Sequence, residues 1–505
     1  MNIIMLNGGI KWPMVSRSIG PYKIAHWIRK HSSYSVQVID FIDKLKYKHI
    51  NNLLTKFVTD ETRIIAISTT FLSNRIYKSG EDGYRLPEHV IDIIKEIKAK
   101  YPKIRVVTGG YLAERIPHHD IIDDSIMSYT EASEDVFLEY ANHIFKGGEP
   151  PIGEIVSPIL ATGSDQKPRM FYHTARNKVY NIEVDDFKWI QEVCIIPGEP
   201  LPLDISKGCI FACTFCQYPH IGKKKFDYIR GMEYIEQELL ENYKNFQTTS
   251  YYLLDDTFND SEYKLKLFND MVNRLPFKIK FSAYLRADLI HRFPDMAHLL
   301  KDSGLVGAYH GVESLHSEAS RIIGKGWFGK QDAKEFIPIL YHDIWKDEVA
   351  QNLNFIVGLP QDTYDSLMDT VSWFKDNNLH SINFNALGVY GKSSSIAGRH
   401  STQSNFDANL EKYGFEVTGT SSAGLILWKN GRWTDHNSKQ LTKKLQELTI
   451  PLRKSHSWRI LPYYWNGIST EEIFTLTDGE LLKHKNILPS ARKHLIYYYY
   501  SLLGL

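Results

Sequence analysis

Three cysteines stand together in one segment, Lys207-Gly208-Cys209-Ile210-Phe211-Ala212-Cys213-Thr214-Phe215-Cys216, with the spacing C-x3-C-x2-C. Thiolates are soft ligands, suited to iron–sulfur clusters or to zinc. A structural zinc ion takes four protein ligands, and His220 stands four residues after Cys216 as a candidate fourth. Two features argue for a cluster instead. The first spacing is three residues where zinc loops commonly use two, and the segment follows a predicted strand in a repeating strand–helix pattern that needs no metal staple. A cubane cluster has four irons, so three thiolates leave one iron open. An open iron can chelate a small molecule, which favours catalysis over simple electron transfer.

The elements that position this loop form two series. Residues 1–150 alternate strand and helix, with strands at Asn2 to Asn7, Val36 to Asp40, Ile64 to Thr70 and Ile104 to Gly110. Apolar strands alternating with helices predict a doubly wound parallel sheet, whose ligands bind beyond the carboxyl ends of the strands. Those ends carry Gly8 and Gly9, then Ser68, Thr69 and Thr70, then Gly109 and Gly110. Simple turn chemistry is the alternative reading of these residues. Residues 151–198 are punctuated by Pro and Gly and read as a connector. From residue 199 to 392 the alternation resumes with six strands, at 203–206, 251–255, 279–285, 305–312, 353–357 and 381–386. Six repeats are too few for an eight-stranded barrel, so a partial (β/α)6 barrel is expected. Asp362, with Asp365 three residues on, suggests a capping box for the helix bearing Leu367, Val371 and Phe374. Residues 393–505 form a mixed, aromatic-rich region with Trp428, Trp433, Trp458 and Trp465.

The motif C-x3-C-x-aromatic-C, with Phe215 as the aromatic, resembles the signature of the radical S-adenosylmethionine (SAM) superfamily. The later strand ends agree with it: Leu254-Asp255-Asp256-Thr257-Phe258, Tyr284-Leu285-Arg286-Ala287-Asp288, Gly311-Val312-Glu313-Ser314 and Phe355-Ile356-Val357-Gly358-Leu359-Pro360. The resemblance covers about residues 199 to 390. It implies a [4Fe–4S] cluster on Cys209, Cys213 and Cys216, with SAM on the open iron and a 5′-deoxyadenosyl radical as the hydrogen-abstracting species. It places Phe215 and the backbone near Tyr218 beside adenine. Arg286 is then suited to the methionyl carboxylate, and Glu313 and Ser314 to the ribose or amino group, with Gly358 also near the cofactor. Many members hold the methionine amino group with Gly-Gly-Glu after strand two. This chain has Asp255-Asp256-Thr257 there, so an acid is retained, with helix capping as the alternative.

Asp-Asp-Thr-Phe and Gly-Val-Glu-Ser resemble the branch that carries an N-terminal cobalamin-binding domain. The α/β pattern at 1–150 fits that order, and the segment Asp123 to Phe137 resembles the one that closes such domains. No Asp-x-His-x-x-Gly occurs, so no lower axial histidine is named. The branch implies cobalamin-dependent methyl transfer to an unactivated carbon. A cobalamin-free radical rearrangement, cyclisation or oxidation is the first alternative, and a zinc-stabilised interaction module the second.

Composition narrows the rest. The chain has 505 residues, 43% hydrophobic and 24% charged, which excludes disorder as its main state. Lys and Arg number 60 against 59 Asp and Glu, which argues against a global field holding nucleic acid and leaves a local basic groove as the alternative. No apolar run reaches the ~18 residues of a membrane span, and the N-terminus lacks a basic region before an apolar stretch; a cytoplasmic location is expected. With three of four cysteines used, only Cys194 remains, too few for a second cluster; a small buried hydrophobe is its bland reading. Lys223-Lys224-Lys225 could dock an acidic electron donor such as flavodoxin or ferredoxin, or be a solvated turn. His310, in strand four, reads either as an acid–base group or as a packed histidine.

Overall fold

The structure, a computed structural model, describes residues 1–9, 16–72, 74–78, 81–110, 113, 116, 121–126, 133–156, 169–173, 182–190, 195–216, 228–325, 330–346, 348–379, 381–389, 404–420, 426–452, 460–465, 467–468, 496–497 and 500–501. Cys194, Tyr218, His220, Lys223 to Lys225 and Trp458 lie outside the described residues.

The first sheet has seven strands. They are β1 (Ile3–Leu6), β2 (Val36–Ile39), β3 (Ile64–Ser68), β6 (Arg105–Gly109), β7 (Asp124–Ile126), β8 (Ile152–Val156) and β9 (Arg169–His173), while β4 (Asn74–Lys78) and β5 (Glu81–Arg85) form a separate antiparallel hairpin. The order is β2-β1-β3-β6-β7-β9-β8, parallel except for β8 against β9. Alternate residues of β1 feed opposite cores, as strand geometry requires. Ile3 and Met5 pack with Tyr22, Ala25, Val136 and Phe137, from the helices Gly20–His31 and Ser133–Lys146. Ile4 and Leu6 pack with Ile50, Leu54, Val90 and Ile94, from the helices Tyr47–Phe57 and Glu88–Lys100. The sheet is therefore doubly wound, and its order reverses between β1 and β3. Residues 151–198 differ from the expected connector, because β8 and β9 extend this sheet. Met170 and Phe171 pair with strand residues, a partnership that local Pro and Gly punctuation does not reveal. Strand β3 also stops short of the expected Thr70: Thr69–Leu72 turns into one helical turn.

The second sheet contains β10 (Leu201–Asp204), β11 (Ser250–Leu254), β12 (Lys280–Leu285), β13 (Leu305–Glu313), β14 (Ala350–Val357) and β15 (Ser381–Ala386), six parallel strands in sequence order. This is the expected partial barrel. The helix Tyr364–Asp376 is capped by Thr363 and Ser366, which form the capping box, and not by Asp362. Asp362 is buried and accepts from Ser314 Oγ at 2.8 Å, while its carbonyl accepts from Trp433 Nε1 at 3.0 Å. Its other carboxylate oxygen accepts from Thr363 N at 2.9 Å and from Ser366 Oγ, so Asp362 links the helix start to the loop after β13. The helix Met232–Phe246 buries Ile235 and Leu239 but leaves Tyr243 exposed, stacked on Phe277 at 4.1 Å.

The C-terminal region adds an antiparallel sheet of β16 (Glu416–Thr420), β17 (Ile426–Asn430) and β18 (Trp433–Thr434), then the helix Asp435–Thr449 against β15. Several of its described aromatics serve packing or hydrogen bonding within the fold. Trp428 and Trp433 are core residues, Trp465 Nε1 donates to Pro197 O at 3.1 Å, and Tyr500 OH donates to Asp40 O at 3.3 Å. Among the described residues no helix is long and apolar enough to cross a membrane.

Two buried ion-pair networks tie the halves together. Arg17 Nε donates to Glu199 Oε1 at 2.8 Å. Lys23 is held by Asp185 and, at 2.7 Å, by Asp204 of β10.

His310 is packed and not positioned as an acid–base group. It is fully buried, its Nε2 lies 3.0 Å from Gln351 Oε1, and its ring stacks on Trp345. Burial pushes its pKa down to about 4. The unfolded chain then binds more protons between about pH 4 and 6.5, so stability falls as pH drops through that window. At 1.36 kcal/mol per unit, the loss between pH 7 and pH 5 is about 2 kcal/mol. Glu238, pushed up to about 7 by burial against the pull of Arg230, acts with the opposite sign. The effect is therefore read as a difference in urea unfolding between wild type and His310→Phe at the two pH values. Equal pH dependence in both chains would refute the assignment.

Candidate active site

The cysteine loop leaves the carboxyl end of β10. Gly208 sits at φ +79°, a left-handed conformation that other residues adopt at a cost. Cys216 N donates to Cys213 O at 3.0 Å, which closes a tight turn between the last two thiols. The turn is clamped by the C-terminus of the helix Ser317–Ile322 after β13: Thr214 N and Oγ1 donate to the carbonyls of Ile323 and Ile322 at 3.3 and 3.1 Å. Thr214 O in turn accepts from Phe406 N at 2.9 Å. Cys209 is buried, and Cys213 and Cys216 are half-buried. Burial pushes the Cys209 thiol up, against the hydrogen bond from Thr257. Among the described residues no three His, Cys, Asp or Glu side chains are gathered closely enough to hold a single metal ion. A cubane makes a different demand, since each thiolate meets its own iron. Three thiols on one anchored loop, with a guanidinium beside one of them, fit that demand.

The other residues expected here come to the same end of the barrel, but most are already engaged. Arg286 follows β12, and its fork grips Asp288 through Nε at 3.0 Å and through Nη2. Its plane lies 4.0 Å over the Phe211 ring, and Nη1 reaches Cys213 Sγ at 3.6 Å. The carboxylate paired with Arg286 is thus the chain's own Asp288. Glu313, at φ +71°, accepts from Lys325 Nζ at 3.2 Å and Asn354 Nδ2 at 3.0 Å. Ser314 Oγ donates to Asp362. Asp255 is buried and accepts from Ser206 Oγ at 2.7 Å and Lys264 Nζ at 2.9 Å, whereas Asp256 is exposed. Neither aspartate caps the next helix; Ser261 does. Phe215 is half-buried beside the core that includes Val312 and Phe355. Gly358 sits at φ +103°, and a Cβ there would meet Trp428 at 3.0 Å and Ser438 at 3.1 Å. The packing of the C-terminal region therefore requires glycine here.

Sequence reasoning passed over Thr257, Phe211, Asp288 and Lys207. Thr257 Oγ1 lies 3.3 Å from Cys209 Sγ. Its place directly after the Asp-Asp pair was the available signal. Lys207 precedes Cys209 by two residues and bonds Asp204 at 3.3 Å, yet it also lines a cavity in the first domain.

That cavity, of about 400 Å³, opens at the carboxyl ends of β1, β3 and β6, where the strand order reverses. Ser68, Thr70, Thr108, Gly109 and Gly110 line it, with Ser18, Lys23 and Glu134 around them. Burial pushes the Glu134 carboxyl up, against the pull of Lys23 and Lys207. Three of the expected contacts are not part of its wall. A Cβ on Gly8 would meet the Leu72 backbone at 2.7 Å and one on Gly9 the Phe41 ring at 2.3 Å, so both glycines serve close packing. Thr69 Oγ1 donates to Gly109 O at 2.8 Å, which braces β6 from behind.

Comparison with known proteins agrees with this geometry. Residues 203–374 match the Radical SAM superfamily profile. Two curated relatives, both from Chlorobaculum tepidum, are bacteriochlorophyllide d C-12(1)-methyltransferase, 22% identical over 182 residues, and bacteriochlorophyllide d C-8(2)-methyltransferase, 23% identical over 185 residues. The matches take in 35% of this chain and only 38% and 40% of those proteins. Among solved structures, the radical SAM methyltransferase TsrM from Kitasatospora setae, described with cobalamin and a [4Fe–4S] cluster bound, superposes with a TM-score of 0.55 at 14% identity, covering 83% of this chain and 77% of that one. The cobalamin-dependent radical enzyme OxsB superposes with a TM-score of 0.52 at 14% identity, covering 82% and 56%. At such identity these structures show a shared fold, and that fold extends well beyond the matched segment into the first sheet. Residues 203–374 are a radical SAM domain, and this chain joins that domain to a doubly wound N-terminal sheet.

Proposed function

We propose that this chain is a radical SAM enzyme that transfers a methyl group to an unactivated carbon, with cobalamin as the methyl carrier. The observation that carries the reading is Lys207. It lines the cavity of the first sheet and stands two residues before Cys209, so the cysteine loop begins at the wall of that cavity. When bound, the [4Fe–4S] cluster with SAM would supply one-electron chemistry, and cobalamin would supply the methyl group. The names of the curated relatives and of TsrM support methyl transfer.

The chain's own residues then divide the work. Cys209, Cys213 and Cys216 would hold three irons. Asp256, Glu313 and Ser314 stand at the strand ends where the amino and hydroxyl groups of SAM would be bound. Ser68, Thr70 and Thr108 offer hydroxyls to amide or phosphate groups of the corrin's nucleotide tail. Gly109 and Gly110 let a bulky group approach the backbone closely. The cavity is of a size for that tail and not for the macrocycle. An outside donor of the flavodoxin or ferredoxin kind would deliver the electron.

The test is anaerobic reconstitution with iron, sulfide, hydroxocobalamin and SAM. Iron content, corrin absorption and transfer of the SAM methyl group are measured together. About four irons per chain with bound corrin is the expected result. A folded chain that loads the cluster but never takes up corrin would remove cobalamin-dependent transfer and leave a plain radical SAM enzyme.

A further inference from the structure

We infer that Thr257 and Arg286 set the reduction potential of the iron–sulfur cluster by donating hydrogen bonds to two of its three thiolates. The inference rests on the cluster reading above and concerns residues that no part of that reading assigns to this task. Thr257 Oγ1 lies 3.3 Å from Cys209 Sγ, and Arg286 Nη1 lies 3.6 Å from Cys213 Sγ. Both distances suit hydrogen bonds to sulfur, a larger acceptor than oxygen. Both donors are buried, at 7% and 5% exposure, so water does not compete.

The two donors come from different strand ends, and each is locked in place. Thr257 N donates to Asp255 Oδ1 at 2.9 Å. The Arg286 backbone exchanges hydrogen bonds with the Asn259 side chain, at 2.8 and 2.9 Å. Asp288 occupies Nε and Nη2 of the Arg286 guanidinium and Phe211 lies against its face, so Nη1 is the donor turned to Cys213. The Thr257 hydroxyl has a single proton and two neighbours, Cys209 Sγ and, at 2.7 Å, Asp256 O. A neutral thiol can donate to the hydroxyl. A ligating thiolate has no proton to give, and its charge draws the hydroxyl proton toward sulfur. Reduction adds an electron whose charge spreads onto the sulfurs, so donors to sulfur stabilise the reduced form more than the oxidised one. The bond from Arg286 carries positive charge and is the stronger of the two. Asp288 offsets part of that charge without removing the donor.

The experiment is an anaerobic redox titration of the full reconstituted chain, followed by the electron paramagnetic resonance signal of the reduced cluster. Thr257→Val, which keeps the shape and removes the hydroxyl, should lower the reduced-to-oxidised ratio at fixed potential about tenfold, or about 59 mV for one electron. Thr257→Ser should restore the wild-type midpoint. Arg286→Lys should lower the midpoint at least as far, because an ammonium cannot grip Asp288 in the same fork and also reach Cys213. Iron content should stay unchanged in each variant. Loaded Thr257→Val with the wild-type midpoint would overturn the inference and leave the cluster reading intact. A wild type that binds no cluster would remove both. Because Arg286→Lys leaves buried Asp288 less well paired, the Thr257 series decides the matter if that variant fails to fold.

Discussion

Replacing Cys209, Cys213 and Cys216 together with Ala takes iron from about four per chain to none. The brown colour and SAM-derived 5′-deoxyadenosine disappear with it. The expectation follows from placement: all three thiols lie on one loop, and among the described residues no other His, Cys, Asp or Glu cluster is gathered to hold metal. The fold should survive. The loop is clamped through the backbone and side chain of Thr214, and the barrel strands pack without it. Cys209 is the most buried of the three, and its truncation removes one sulfur from a polar neighbourhood that includes Thr257. Iron and sulfide analysis, with circular dichroism as the folding control, makes the measurement. A triple variant that still binds about four irons would show that the cluster sits elsewhere. Zinc bound without sulfide in the wild type would favour the interaction-module reading.

Gly109→Trp should abolish cobalamin uptake while leaving the cluster intact. Gly109 lines the cavity, and its backbone lies outside the left-handed region. Among the described residues a Cβ there meets Ile126 O alone, at an ordinary 3.5 Å, so a side chain can be placed at this position of the cavity wall. Gly110 would make a poorer test. It sits at φ +96° with Thr70 Oγ1 2.5 Å from the Cβ position, and substitution would strain the backbone as well as fill space. Filling the site of the corrin's tail removes the contacts of that tail, and the expected loss is about a hundredfold in affinity, or about 2.7 kcal/mol. Corrin absorption after gel filtration, wild type beside variant at equal iron content, reads the effect. Undiminished corrin binding by Gly109→Trp would show that the cavity is not the site.

Much of the fold was legible in the chain itself. Strand and helix alternation depends on local periodicity, and the six barrel strands and strands β1, β2, β3 and β6 of the first sheet follow from it. The cysteine spacing is also local, because three ligands on one loop need no distant partner to be recognised. The β7-β9-β8 end of the first sheet was harder. Strands β8 and β9 are short and lie among Pro and Gly, and they become strands by pairing, β9 with β7 and β8 with β9.

Composition and spacing along the chain carry the two α/β units, the thiol loop and the acids and hydroxyls at the strand ends. Tertiary structure decided which of those groups are available. Arg286 is taken by Asp288, Gly8 and Gly9 are filled by Leu72 and Phe41, and Gly358 yields its space to Trp428. Lys207 and Thr257 gain their meaning only from neighbours in other elements. The physical reason is that a side chain's chemistry depends on the partner that satisfies it, and in a buried site that partner is set by packing between distant segments.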